Sequence, residues 1–220
     1  MSMAKHLMTT ASSAAVPPGH TEGPPTLSGQ LACWLERDGP KTVGSLVDAF
    51  GEKSFAVLLV VLLAVPALPI PTGGVTHVFE LIAALVALEM IAGRNVVWLP
   101  PRWRAVELAG PRQQRFVAGL MRLIRWLERH SRPRMQALFR TRLSEVVYGL
   151  LAIAGTAGAF LAPPFSGLDT LPALSVVVLS LSVLLEDLLI ALAAIVLGAA
   201  GIALELALGA AAFHGVSSLL

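Results

Sequence analysis

Residues 146–185 read VVYGLLAIAGTAGAFLAPPFSGLDTLPALSVVVLSLSVLL, two apolar runs separated by a turn rich in proline and glycine. Proline lacks the amide hydrogen that a helix needs, and glycine permits positive φ, so one helix ends here before the next begins. The runs, Val146 to Ala162 and Leu168 to Leu185, are close in length to the shortest helices that cross a bilayer, since roughly 20 residues are needed and about 17 tolerated. The stretch therefore predicts a helical hairpin that either spans a membrane or re-enters it.

A second pair of apolar runs lies earlier in the chain, Phe55 to Ile70 and Val75 to Ala92, and its turn at 66–74 is again built from proline and glycine. A shift of 93 positions aligns the two pairs without a gap, and it sets Glu52 on Glu145, Phe55 on Tyr148, Pro71 on Pro164, Gly74 on Gly167 and Leu81 on Leu174. This match predicts an internal repeat. Many transporters are built from repeats and place their sites at broken helices where the halves meet.

Positive charge is concentrated in the segment that joins the two pairs. Twelve of the sixteen Lys and Arg residues lie between Arg94 and Arg142, only Glu107 and Glu128 oppose them there, and none follows Leu143. A basic block of this kind marks the cytoplasmic side of a membrane protein. An even number of crossings would precede the block, so we expect a cytoplasmic N-terminus in a bacterial inner membrane. The side of the C-terminus depends on whether the hairpins span or re-enter.

Composition favours the same class of protein. The chain is 55% hydrophobic and 14% charged, with a mean hydropathy of +0.75, values that fit a soluble domain of this length poorly. A nucleic-acid-binding domain would also cluster basic residues, but it would not devote the rest of the chain to apolar runs. Cys33 is the sole cysteine in the sequence, which excludes an intrachain disulfide and a multi-cysteine metal site.

The expected fold is an all-α polytopic membrane protein: two Pro/Gly-broken helical hairpins in an internal repeat, a C-terminal membrane helix, and interfacial amphipathic helices. Residues 1–26 are expected to form a disordered tail with no cleavable signal peptide, because proline and small polar residues dominate them. Residues 27–213 would then form one membrane domain. Its parts are hairpin one at about 55–92, an arginine-rich segment at 94–142, hairpin two at about 146–185, and a last helix at about 188–213 that Glu205 interrupts.

Amphipathic sequence precedes each hairpin. From Gln113 to His130 the helical period separates an apolar face (Phe116, Leu120, Leu123, Ile124, Leu127) from a basic one (Arg115, Arg122, Arg125, Arg129). We interpret this as an interfacial helix with its apolar face toward lipid and its arginines toward anionic headgroups; the alternative is a helix packed on the protein's own cytoplasmic face. The stretch from Leu27 to Phe50 is more weakly amphipathic and breaks at Asp38-Gly39-Pro40, with Thr42 as the expected N-cap. Trp34, Trp98, Trp103 and Trp126 lie outside the apolar runs, as is typical of the membrane interface.

The order of these features resembles a known family. Hairpin one runs into Gly93-Arg94 and then Trp98-Leu99-Pro100, the arginine-rich stretch follows, and hairpin two ends in Glu186-Asp187. This order is similar to the ExoD family of bacterial membrane proteins, over about residues 28–213. The resemblance implies an inner-membrane protein linked to exopolysaccharide synthesis, and it implies no particular reaction. The chain departs from the family at Glu186-Asp187-Leu188, where an Arg-Asp-Gly-like sequence is common, and at Glu89, where Gln is common.

Ionisable residues inside apolar runs are costly, so they invite a functional interpretation. His77 and Glu80 share a helical face and could relay protons or bind a cation, or could simply be hydrated near the interface. Glu89 faces the opposite way. Glu186 and Asp187 are expected to pair with arginines of the middle segment, Asp169 to be a turn or cap residue, and Glu205 either to face the bundle or to mark a helix end. The candidate translocation or turn residues are Pro69, Pro71, Gly73, Gly74, His77, Glu80, Glu89, Pro163, Pro164, Gly167, Glu186 and Asp187.

Two functions compete. The first is a small ion or lipid translocator that supports exopolysaccharide synthesis or envelope homeostasis. The second is a non-catalytic scaffold that binds anionic lipid or a polysaccharide-synthesis complex through Arg115, Arg122, Arg125 and Arg129. We expect no enzymatic activity, no catalytic residues, no metal site and no cofactor, because no motif for any of them is present. The expected partners are membrane lipids, exopolysaccharide-synthesis machinery and a second copy of the chain in a homodimer, with no nucleic acid.

Overall fold

The computed structural model describes residues 26–68, 75–94, 96–108, 111–131, 141–163 and 166–217. Within these ranges the chain is helical and contains no β-strand, which confirms the all-α prediction. A 3₁₀ turn, Gly51–Lys53, joins the second helix to the third. In chain order the helices are α1 (Leu27–Glu36), α2 (Val43–Phe50), α3 (Ser54–Leu63), α4 (Val75–Ile91), α5 (Pro101–Arg104), α6 (Pro111–His130), α7 (Arg142–Leu161), α8 (Thr170–Leu185) and α9 (Leu188–Ser217).

The core is centred on α3 and α8. Leu58, Leu59 and Leu63 of α3 are almost fully buried, and so are Val176 and Leu181 of α8. These two helices pack against each other, α4 packs against α3 and α7, and α7 and α9 both pack against α8. Helix α3 stops at Leu63, before the end of its predicted run, and a turn follows at 64–67. Helices α3 and α8 therefore lie between α4, α7 and α9.

The outer surface of the bundle is apolar as well. On α4, four side chains spaced three or four residues apart are all more than half exposed: Val78, Leu81, Leu85 and Leu88. Leu150 of α7 and Val196 of α9 are equally open. Two helices, α7 and residues 188–211 of α9, are long and apolar enough to cross a bilayer, and α8 is apolar but shorter.

Glycines allow the helices to approach closely. A Cβ built on Gly149 would lie 2.5 Å from Cγ1 of Ile91, where α7 crosses α4. A Cβ on Gly155 would lie 2.4 Å from Cγ2 of Val176, and one on Gly198 would lie 2.9 Å from Oγ of Ser175. Val176 and Ser175 both belong to α8, so α8 packs between glycine-bearing faces of α7 and α9.

Gly155→Ala is therefore expected to destabilise the bundle by about 1–3 kcal/mol, because an added methyl group in a packed interface forces side chains or helices apart. Gly209→Ala is the matched control: it also lies within a helix, but its Cβ would meet nothing within 4 Å. It should leave stability unchanged or raise it by about 0.5–1 kcal/mol through helix propensity. Thermal unfolding of both purified variants in one detergent checks this, and equal melting temperatures would contradict the packing.

Helices α1, α2 and α6 pack at the end of the bundle where α3 begins. Trp34 is buried, and its indole N–H donates to Oγ of Ser45 at 3.2 Å, so the prediction of an interfacial position was wrong for this tryptophan. Trp98, Trp103 and Trp126 are exposed. The break between α1 and α2 is as expected, because Gly39 adopts a φ of 127° and Thr42 caps α2 in a reciprocal capping box with Ser45.

The apolar face of α6 is largely covered by protein. Met121 and Ile124 are buried, Leu120 and Leu127 pack against the core, and α6 contacts α1. This corrects the interpretation that this face lies toward lipid, because α1 already removes much of it from solvent. Leu123 and Trp126 remain exposed. Arg122, Arg125 and Arg129 are exposed too, whereas the side chains of Arg115 and Phe116 lie outside the described residues.

Candidate functional site

A buried carboxylate lies near the beginning of α4. The side chain of Glu80 is 0% exposed, and its Oε2 lies 2.8 Å from Nδ1 of His77, one turn earlier on the same face. The His77 side chain is 25% exposed, so it stands between Glu80 and the surface. The arrangement matches the expected shared face of these two residues. Complete burial of Glu80 argues against the alternative that both groups are simply hydrated.

Three further elements converge on this pair. The ring of Phe160, near the end of α7, lies 5.4 Å from the His77 ring in a tilted contact. Asp169, just before α8, and Glu205 of α9 both interact electrostatically with Glu80. Glu205 enters beside α7, where its Oε2 lies 3.6 Å from the position of a Cβ on Gly158. We call His77, Glu80, Asp169 and Glu205 the acid–histidine cluster.

Two oxygens of this cluster lack hydrogen bonds. Within the described part of the chain, Oε1 of Glu80 and Oε1 of Glu205 are both buried and have no hydrogen-bond partner. An ionised carboxylate costs a great deal in such surroundings unless a cation or a proton accompanies it. The described His, Cys, Asp and Glu side chains include no group of three placed to hold a metal ion. A buried carboxyl group bonded to a partly exposed imidazole is chemically suited to take up and release a proton.

The other predicted acidic residues lie elsewhere. Oε2 of Glu89 accepts a hydrogen bond from the backbone N–H of Trp98 at 3.0 Å and so anchors the segment after α4. Glu186 pairs with Lys53 at 3.2 Å, and the described arginines of the middle segment form no ion pair with it, although one was expected. Asp187 accepts from the hydroxyl of Ser131 and from the N–H of Leu189, each at 2.9 Å, which joins the end of α6 to the start of α9.

Of the predicted turn residues, Pro163 and Gly167 are described, and both shape the turn between α7 and α8. Gly167 has a φ of 69°, which favours glycine, and the hydroxyl of Ser166 donates to the carbonyl of Pro163 at 2.6 Å. Pro69, Pro71, Gly73, Gly74 and Pro164 lie outside the described residues. The sequence left open whether Glu205 faces the bundle, and it did not predict the contact of Phe160 with His77. The only signal for Glu205 was an acid in the middle of an apolar run.

The Gly93-Arg94 signature has a structural basis. Gly93 adopts a φ of 92°, and a Cβ there would lie 2.8 Å from Nη2 of Arg142. That guanidinium donates to the carbonyl of Ile91 at 2.8 Å and to Oε2 of Glu145 at 3.0 Å. The first residue of α7 thus caps the C-terminus of α4, and the glycine leaves space for it.

A cleft opens at this same end, opposite the acid–histidine cluster. Its volume is about 620 Å³, and it lies among the ends of α3, α4, α7, α8 and α9. Its charged lining residues are Glu52, Lys53, Arg94, Glu145 and Glu186, and Tyr148 and Ser182 also reach it. The Tyr148 hydroxyl donates to Oγ of Ser180 at 2.8 Å in the buried interior.

Sequence comparison matches this chain to one family model and to two known proteins. The family model described as "Exopolysaccharide synthesis, ExoD" matches residues 27–207. An uncharacterized protein of Synechocystis sp. is 32% identical over 125 residues, 57% of this chain and 58% of that protein. Protein ExoD of Rhizobium meliloti is 31% identical over 166 residues, 74% of this chain and 67% of that protein. The chain thus spans little more than half of the first relative. No solved structure matches it.

Proposed function

The chain belongs to the ExoD family, which is implicated in exopolysaccharide synthesis, and on that premise we propose that it is a small proton-coupled translocator of the bacterial inner membrane. The observation that carries the proposal is Glu80, which is fully buried and bonded through one oxygen to His77, and whose other oxygen has no hydrogen-bond partner among the described residues. A buried acid is costly, so its presence inside a membrane protein favours a functional role.

A location within the membrane is supported by the exposed faces of α4, α7 and α9. Side chains such as Leu85, Leu150 and Val196 are about half exposed or more, and no described Lys or Arg follows Arg142. Such a surface is unfavourable in water and favourable against lipid chains. The described part of the arginine-rich segment lies at the opposite end of the bundle from the acid–histidine cluster. This favours a multi-pass arrangement with that segment and the N-terminus in the cytoplasm.

An internal repeat is supported by helix packing and by backbone conformation. The first helix of each hairpin packs against the second helix of the other, α3 on α8 and α7 on α4. Gly93 and Glu186 are 93 positions apart, follow equivalent helices and both have a positive φ, 92° and 55°. Among the described residues, Glu186 is the only one other than glycine with this conformation. Of the residues that the shift equates, Glu52 and Glu145 both line the cleft, as do Phe55 and Tyr148.

The test is proton movement in proteoliposomes. Purified protein in vesicles that contain a pH-sensitive dye should dissipate an imposed pH gradient faster than protein-free vesicles do. Rates equal to those of protein-free vesicles, in both directions of the gradient, would contradict the proposal. The same preparation then serves for the substitution argued in the Discussion.

The second candidate, a membrane scaffold, is favoured by the exposed basic face of α6 that carries Arg122, Arg125 and Arg129. Each basic side chain near an anionic leaflet contributes about 1 kcal/mol of attraction. Replacing Arg115, Arg122, Arg125 and Arg129 together by Gln separates the two functions, because none of these residues belongs to the acid–histidine cluster. For a translocator we expect the variant to keep its proton flux and its exopolysaccharide output. Normal flux with lost output would favour the scaffold instead.

A further inference from the structure

The cleft at the cytoplasmic end combines a charged rim with an apolar floor. The charged residues lie at helix ends: Glu52 and Lys53 precede α3, Arg94 follows α4, and Glu186 follows α8. The apolar lining lies deeper along the same helices and comprises Phe55, Met90, Leu151, Leu179 and Ile195. From Ser144 at the rim to Leu151 on the floor, α7 advances by about 10 Å. A ligand that fits this cleft is polar at one end and apolar at the other.

The cleft is also open sideways. Val147 of α7 and Ile195 of α9 line it and are 45% and 40% exposed. Its volume of about 620 Å³ lies within the range of roughly 300–1,000 Å³ typical of ligand sites. An occupant can therefore place its headgroup and the beginning of its chains inside, while the rest of the chains extends over the exposed apolar faces of α7 and α9.

The charges at the rim select the headgroup. Lys53 pairs with Glu186 at 3.2 Å, and Arg142 pairs with Glu145 at 3.0 Å, so two of the three glutamates are already neutralised. Among the described residues, neither Glu52 nor Arg94 forms an ion pair. Of the charged residues that line the cleft, one anion and one cation therefore have no ion-pair partner in the described part of the chain. An anionic headgroup would satisfy Arg94 but would face the carboxylate of Glu52, whereas a headgroup with both a phosphate and an ammonium group would satisfy both.

We propose that this cleft binds phosphatidylethanolamine, with its phosphate on Arg94, its ammonium group on Glu52 and its acyl chains along the apolar floor. The inference rests on the proposed membrane location but not on proton transport, since no residue of the acid–histidine cluster lines the cleft. It identifies a lipid that the protein would hold from the cytoplasmic side.

The test is lipid binding by the purified full-length protein in detergent, with dioctanoyl phosphatidylethanolamine and dioctanoyl phosphatidylglycerol as probes, followed by native mass spectrometry. We expect phosphatidylethanolamine to bind about tenfold more tightly, which corresponds to about 1.4 kcal/mol. Glu52→Gln and Arg94→Gln should each abolish this preference. Val147→Trp, at a half-exposed position on the wall, should block both lipids while the protein keeps its helical content and elution volume.

Glu36→Gln and Arg37→Gln are the matched controls, because they make the same changes of charge at exposed positions outside the cleft. They should bind both lipids as the wild type does. Binding of neither lipid, equal or tighter binding of phosphatidylglycerol, or a preference that persists in both Glu52→Gln and Arg94→Gln would overturn the proposal. Proton flux measured on the same protein tells this failure apart from a failure of the proposed transport function.

Discussion

Glu80→Gln is expected to reduce proton flux in proteoliposomes to the level of protein-free vesicles, a loss of at least about tenfold, as for other essential proton-transfer groups. Glutamine has nearly the same shape, and its amide oxygen can accept from Nδ1 of His77 as Oε2 of Glu80 does. The substitution therefore removes the titratable group and little else. Since Oε1 of Glu80 has no hydrogen-bond partner among the described residues, the fold should not depend on the charge.

Glu89→Gln is the matched control for this loss. It makes the same chemical change in the same helix, but Glu89 accepts from the Trp98 N–H outside the cluster, and glutamine can accept that hydrogen bond too. We expect this variant to keep wild-type flux and exopolysaccharide output. Wild-type flux in Glu80→Gln, at equal protein per vesicle, would remove Glu80 from the transport route. Equal losses in both variants would point to a general effect of charge.

Local features of this fold follow directly from the sequence. The spacing of His77 and Glu80 places them on one face of α4, and the structure joins them at 2.8 Å. Thr42 caps α2 because a threonine in front of a helix accepts from the N–H groups that the first turn leaves free. These predictions depend on residues within one helical turn of each other, so the period and the chemistry of the chain are sufficient.

Features that depend on what packs against a helix do not follow in the same way. The apolar face of α6 has the same period whether lipid or protein covers it, and α1 is what covers Met121 and Ile124. Trp34 is outside the apolar runs, yet the packing of α1 buries it. Glu205 joins Glu80 only because α9 and α4 both approach α7, and no local pattern records that approach.

The acid–histidine cluster and the cleft lie at opposite ends of one bundle. Between them, buried polar side chains occupy the contact of α7 with α8: Tyr148 bonded to Ser180, then Thr156 and Ser175. The Ser180 and Ser175 hydroxyls donate to carbonyls of their own helix, so both are satisfied without water. The contact between α7 and α8 is therefore polar at several buried positions as well as tightly packed.

A cysteine at Ser166 and the native Cys33 are expected to react from opposite sides of the membrane. Cys33 is exposed on α1, at the end of the bundle that carries the basic segment, and Ser166 is exposed in the turn between α7 and α8. If α7 crosses the bilayer, a membrane-impermeant maleimide should label Cys33 only in inverted vesicles. In a Cys33→Ser background it should label Ser166→Cys only in intact cells whose outer membrane has been permeabilised. The expected difference between the two preparations is all or none, because the bilayer excludes the charged reagent.

The Cys33→Ser protein without a new cysteine is the control for background labelling in this experiment. Labelling of Ser166→Cys from neither side, with full reaction after denaturation, would mean that the turn between α7 and α8 ends within the membrane. The hairpin would then be re-entrant, and the acid–histidine cluster would lie at membrane depth, where a transported proton has to be bound. Labelling from the cytoplasmic side alone would also mean that α7 does not cross the bilayer, because Cys33 and Ser166 would then share one aqueous compartment.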